Sequence, residues 1–101
     1  MNYRTIGLTA ALLTAASPSA FAATTFKAAV EGNKIVVYST TDKDIACYTM
    51  VTFSFQSGDK RVQRRFVCNM FAREGKDQVY CERSEPEYID LQIEGPVTFN
   101  C

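Results

Sequence analysis

From position 24 onward, apolar and polar residues alternate with a period of two, and residues with turn chemistry separate the alternating stretches. The clearest stretch is Ala46 to Phe55 (ACYTMVTFSF). Cys47, Thr49, Val51, Phe53 and Phe55 share one parity; Ala46, Tyr48, Met50, Thr52 and Ser54 share the other. Successive strand side chains point to opposite faces, so this stretch reads as a strand with its odd positions in a core. Thr24 to Val30 and Lys34 to Ser39 (KIVVYS) read as two earlier strands, with Glu31-Gly32-Asn33 as a tight turn between them. A polar loop, Thr40 to Asp44, leads into the long strand, and Ser57-Gly58-Asp59 turns the chain out of it.

Four more stretches follow. Arg61 to Phe71 holds Val62, Phe66, Cys68 and Met70 in phase, and Gln78 to Arg83 pairs Val79 with Cys81 on one parity. Tyr88 to Ile93 sets Ile89, Leu91 and Ile93 against Tyr88, Asp90 and Gln92, and Val97, Phe99 and Cys101 share the last face. Pro86 and Pro96 mark the breaks, because proline brings no N–H to a sheet ladder. Seven short strands at this spacing predict an all-β fold, a small antiparallel β-sandwich that is immunoglobulin-like in strand count. There is no Trp in the chain, so the Cys…Trp…Cys hallmark of antibody domains is missing and the likeness is one of architecture.

The first 22 residues follow a different rule. Arg4 gives a single positive charge, Ile6 to Ala16 is an apolar run, Ser17-Pro18-Ser19 breaks it, and Ala20-Phe21-Ala22 has the small-x-small spacing of a signal-peptidase site. The apolar run is about half the roughly 20 residues a membrane span requires. Residues 1–22 are therefore expected to be a secretory signal cleaved after about Ala22. Residues 23–101 would then form a single domain in the periplasm or outside the cell, with no membrane span.

In such a compartment the four Cys take on a structural meaning. A domain this small has a marginal core and commonly needs cross-links. Cys47, Cys68, Cys81 and Cys101 are even in number, contain no C-x-x-C pair to seed a zinc site or a redox centre, and have no His to complete a metal set. Two disulfides are expected, and no metal and no cofactor. Folding Phe66–Phe71 against Gln78–Arg83 as a hairpin sets Cys68 opposite Cys81, which leaves Cys47 with Cys101. Pairing Cys47 with Cys68 and Cys81 with Cys101 is the competing arrangement, because the preceding hairpin also brings Cys47 towards Cys68.

Charge narrows the function. The 101 residues carry 11 basic and 11 acidic side chains and no His, which argues against a nucleic-acid binder and removes imidazole-based catalysis. The charges are nonetheless segregated. Lys60-Arg61-Val62-Gln63-Arg64-Arg65 has four basic residues in six, whereas Glu82, Glu85, Glu87, Asp90 and Glu94 make the later segment acidic. A guanidinium cluster can take a sulfate, phosphate or acidic sugar through bidentate pairs. It can equally be neutralised by the acidic run on an adjacent strand, and the hairpin register would then set Arg64 against Glu85. Tyr48, Tyr80, Tyr88 and Met50 fall on the parity opposite the core and could offer an aromatic surface. Asp42 and Asp44 have too few companions for a calcium loop. Two carboxylates for glycosidic chemistry would need a cleft that nothing in the sequence defines.

The expectation is an exported, non-catalytic binding module with Lys60, Arg61, Arg64, Arg65, Tyr48 and Tyr80 as its surface. Its partner would be an anionic polysaccharide of the cell envelope. The alternative is an envelope protein engaged through a sheet edge or charged face, as by an inhibitor, an assembly chaperone or an accessory subunit.

Overall fold

Every alternating stretch becomes a strand in the computed structural model, which describes residues 23–101; the expected secretory signal, residues 1–22, lies outside the described residues. The strands are β1 (Thr25–Glu31), β2 (Lys34–Thr41), β3 (Ile45–Ser57), β4 (Lys60–Ala72), β5 (Gly75–Ser84), β6 (Ile89–Ile93) and β7 (Thr98–Asn100). Two connections are two-residue hairpins led by glycine, Gly32 at φ 69° and Gly58 at φ 63°. A glycine takes that left-handed conformation without a Cβ penalty, and the resulting turn matches the twist of the strands it joins.

The strands form two antiparallel sheets. The first has the order β1-β2-β5; in the second, β3 is flanked by β4 on one side and by both β6 and β7 on the other. Ile35 and Val37 from the first sheet meet Cys47, Val51, Phe53, Phe55 and Phe66 from the second, and Tyr88 and Leu91 close the core. Phe53, 1% exposed, is at its centre, with ring centroids 5.2 Å from Tyr88, 5.8 Å from Phe66 and 6.4 Å from Phe55. The odd parity of β3 is thus the buried one, as its alternation predicts.

Both expected disulfides are present, Cys47–Cys101 and Cys68–Cys81, but the route proposed for the second is corrected. β4 and β5 do not form a hairpin. β5 pairs with β2, with Val37 opposite Cys81, so the Cys68–Cys81 bridge crosses from one sheet to the other. The link Arg73-Glu74 is short enough for a hairpin, yet pairing with β2 completes the ladder of a strand whose Ile35, Val36 and Val37 are all buried. Leaving that strand as an open edge would expose its backbone beside the most apolar part of the first sheet. Cys47–Cys101 is a cross-strand tie within the second sheet, next to the Tyr48–Asn100 pair, and it fastens the residue after β7 to the central strand. Disulfides persist in oxidising compartments, so the two bridges indicate an environment of that kind.

Two strands depart from simple alternation. The β2–β5 register shifts between Val37 and Tyr38, placing one extra residue, Tyr80, between Val79 and Cys81. A bulge turns neighbouring side chains to the same side. Tyr80 is consequently buried at 5%, and Val79, expected in the core, is exposed. In β6 the extra residue lies between Ile89 and Gln92, and Asp90 sits at φ 53°. There Tyr88 turns inward and Ile89 outward, the reverse of the sequence expectation, while Leu91 stays buried. Asp tolerates the left-handed region better than most residues because its short polar side chain can bond locally, and Asp77 (φ 52°) does the same at the other β5 irregularity. Its N–H donates to Thr40 Oγ1 at 3.0 Å and its carboxylate meets Lys27 Nζ at 3.3 Å.

Candidate functional site

An unpaired strand edge is a row of free N–H and C=O groups, and folded chains usually blunt such edges with bulges, short strands or charge. β5 is bulged twice and β6 once; β6 and β7 are also short, and β1 has seven residues. β4 differs. It pairs with β3 through thirteen consecutive residue pairs, from Ile45–Ala72 to Ser57–Lys60, with no register shift, and its other side has no strand partner among the described residues.

The direction of its free groups follows from its neighbour. The Thr52 carbonyl accepts from the Glu94 N–H at 2.8 Å, on the side of β3 away from β4. Backbone groups alternate in direction along an antiparallel strand, so the even-numbered residues of β3 face β6 and β7 and the odd-numbered ones face β4. Opposite the even-numbered residues of β3, Arg61, Gln63, Arg65, Val67, Asn69 and Phe71 turn their N–H and C=O groups to the open edge, and their side chains lie on the outer face of the sheet. This edge divides by chemistry. Its first half carries Lys60, Arg61, Arg64 and Arg65; its second half, Phe66 to Ala72, carries no charge. Val67, Met70 and Phe71 in that half are exposed, and Tyr48, on the adjacent β3, extends the apolar surface.

The expected site residues do not act as one group. Arg61 is a tie across three strands. Its Nε donates to Ser54 Oγ at 3.0 Å, Nη1 to Asp90 Oδ2 at 2.8 Å and to Gln56 Oε1 at 3.4 Å, and Nη2 to the carbonyls of Ser54 and Asp90. Ser54, beneath it and only 2% exposed, donates to Glu94 Oε2 at 2.5 Å. These partners occupy the fork that an anion would use. We expect Arg61→Ala to lower unfolding free energy by about 1–3 kcal/mol, because charge-assisted bonds over a buried serine are lost. Arg64→Ala and Arg65→Ala should each shift it by no more than about 0.5 kcal/mol, as surface changes do. Urea midpoints for the three variants check this, and equal losses would contradict it.

Arg64 does not face Glu85. It is opposite Phe53 in the ladder, its guanidinium reaches out over the Phe55 ring at 5.6 Å, and no bulge is needed to bring it to water, because β4 is an edge strand. Arg65 lies opposite Thr52, and with Arg64, Gln63 and Thr52 it lines a depression of about 320 Å³. Lys60, Arg64 and Arg65 form no ion pair among the described residues. The acidic segment is partly engaged elsewhere, Glu82 with Lys34 at 3.2 Å and Asp90 with Arg61. Mutual neutralisation of the two charge runs therefore holds for Arg61 alone among the basic cluster.

Tyr48 is exposed as expected, whereas Tyr80 is a structural residue. Its hydroxyl donates to the Cys47 carbonyl at 2.7 Å and accepts from the Met70 N–H at 3.2 Å, so it stitches β5 of the first sheet to β3 and β4 of the second. Tyr80→Phe should lower stability by about 1–2 kcal/mol, since buried backbone groups lose a partner. The check is a reduced urea midpoint at an unchanged denaturant slope, and an unchanged midpoint would count against the stitch. Asp44, one of the two loop aspartates, accepts from the Glu74 N–H at 2.8 Å, a long-range bond that ties the β2–β3 loop to the β4–β5 link. The Tyr38 phenol is pushed above its usual pKa because it donates to the Glu31 carboxylate at 2.5 Å.

Sequence reasoning missed the far end of β4. There Met70, Phe71, Arg73, Gln78, Val79 and Tyr80 line a groove of about 610 Å³ between the open edges of the two sheets. The bulge that turns Val79 outward creates part of its wall, and no periodicity signals that bulge. The uncharged run from Phe66 to Ala72 was the available sign that something other than solvent could cover this end. No protein-family model, no curated protein and no solved structure matches the chain.

Proposed function

We propose that this protein is an exported, non-catalytic binding factor on an immunoglobulin-like sandwich, and that it takes up an envelope protein by strand addition along β4. The immunoglobulin-like reading is supported by the order β1-β2-β5, which is that of strands A-B-E, and by the pairing of β3 with β6, which is that of C with F. β4 alongside β3 and β7 alongside β3 are its departures from the constant-type arrangement. Export is supported by the signal-like pattern of residues 1–22 and by two disulfides that need an oxidising compartment.

One observation carries the binding reading: thirteen unbulged residues with an open edge among the described residues, against seven in β1, the other unbulged edge, and bulges in β5 and β6. In strand addition, main-chain hydrogen bonds supply affinity and alternate side chains supply selectivity. A second reading, an anionic polysaccharide, is favoured by Arg64 and Arg65, which flank the 320 Å³ depression without ion-pair partners among the described residues.

Asn69→Pro separates the two. The Asn69 N–H points to the open edge, so proline there removes no bond to β3, and edge positions tolerate proline. Envelope proteins retained by the oxidised wild-type protein should be lost from Asn69→Pro, with retention on a heparin column unchanged. Recovery of the same proteins by both would refute strand addition. Heparin retention that disappears in Arg64→Ala/Arg65→Ala, with no Asn69→Pro effect on protein capture, would establish the polysaccharide reading in its place.

A further inference from the structure

We infer that the strand added to β4 belongs to a different polypeptide, runs antiparallel to β4, and carries apolar residues in its first half and carboxylates in its second. This rests on the strand-addition reading and specifies its partner. The order follows from the two halves of β4. Read from Lys60 to Ala72, the strand is basic and then uncharged. An antiparallel neighbour meets those halves in reverse, first Phe71, Met70 and Val67, then Arg65, Arg64 and Lys60. Antiparallel pairing is slightly the more stable per residue, and it continues a sheet that is antiparallel throughout.

Each face of the added strand then has a defined surrounding. Its outward residues would sit beside Phe71, Asn69, Val67 and Arg65. The inward residue opposite Met70 would enter the groove that Val79 and Tyr80 line, a position suited to an aliphatic side chain. The arginines Arg64 and Arg65 have no acidic partner among the described residues, so carboxylates opposite them gain attraction without displacing an existing pair.

Charge argues against a second copy of this chain. Antiparallel pairing of two β4 strands about Phe66 would set Arg65 diagonally across from Arg65 of the other copy on the same face, where long side chains of like charge come within reach of each other. A carboxylate-bearing segment reverses the sign of that term.

The test uses the oxidised protein and three synthetic twelve-residue peptides. The first alternates valine and threonine through its first half and has two adjacent glutamates in its second. The others are the same sequence reversed, and the first with both glutamates changed to glutamine. Titration followed by amide chemical shifts is expected to show the first peptide binding through β4 resonances. The reversed and glutamine peptides should bind about tenfold more weakly, the effect of two cross-strand ion pairs. Asn69→Pro should abolish binding of all three.

Equal or tighter binding of the reversed or glutamine peptide, with loss on Asn69→Pro, would overturn the inferred partner and leave strand addition standing. Unchanged binding of the first peptide to Asn69→Pro, or none up to about 1 mM, would overturn both. A dimer seen by sedimentation without peptide, and dissolved by Asn69→Pro, would make a second copy the occupant and overturn the inference.

Discussion

Serine at both Cys47 and Cys101 is expected to lower the unfolding free energy by about 4 kcal/mol, and serine at both Cys68 and Cys81 by about 3 kcal/mol. The bridges span 54 and 13 residues respectively, and each limits the unfolded chain by closing a loop of that length. Closure entropy grows only with the logarithm of length, so the long loop exceeds the short one by only about 1 kcal/mol. The two bridges also act at different places. Cys47–Cys101 holds β7, a strand of three residues with no other covalent anchor, against β3. Cys68–Cys81 holds the first sheet to the second on the side where both β4 and β5 are open.

A domain of this size has a total stability at the lower end of about 5–15 kcal/mol, so losing both bridges consumes most or all of it. Circular dichroism in reducing and non-reducing buffer should show the oxidised protein folded and the fully reduced protein largely unfolded. Urea titration of the two double-serine variants gives the separate losses. A larger loss for the 13-residue pair than for the 54-residue pair would mean that the inter-sheet tie matters chiefly through the native state.

Phe53→Ala is expected to cost about 3–5 kcal/mol, the range for truncating a large aromatic in a close-packed core. Phe53 touches both sheets' contributions to the core, and three aromatic neighbours, Phe55, Phe66 and Tyr88, are arranged around it. Removing the ring forfeits its transfer free energy and leaves a cavity that these rings cannot fill together without leaving their own rotamers. Phe71→Ala is the control. That ring is 68% exposed on the outer face of β4, and its loss should change stability by less than about 0.5 kcal/mol. Urea midpoints for the pair decide the matter, and comparable losses would place the core elsewhere.

The contrast between these two phenylalanines was partly readable in advance. In β3 the odd-numbered positions from Cys47 to Phe55 are all buried, so parity alone places Phe53 in the core, although Ser54 on the other face is covered as well. In β4, the run Phe66 to Ala72 is apolar on both parities, and periodicity cannot say which of Val67, Met70 and Phe71 faces solvent. The basic cluster shows a second kind of limit. Lys60, Arg61, Arg64 and Arg65 are equivalent as charges in a row, yet Arg61 is bound into Ser54, Gln56 and Asp90 while Arg64 and Arg65 remain open. Asp90 reaches Arg61 because of the irregularity in β6, two strands away in the sheet.

Local chemistry was enough for the strands and turns and for the all-β class, whereas the Cys68–Cys81 bridge was expected from a β4–β5 hairpin that does not form. Strands, turns and class each depend on residue type and near-neighbour spacing: side chains alternate by stereochemistry, and glycine occupies left-handed turns. The choice of sheet for β5, the inward turns of Tyr80 and Tyr88, and the open edge of β4 came from three-dimensional packing. A strand can pair with any edge its backbone reaches, and one extra residue in a bulge reverses every side chain beyond it. Those outcomes depend on which arrangement buries Ile35, Val37 and Phe53 together, a property of the assembled sheets and of no single segment.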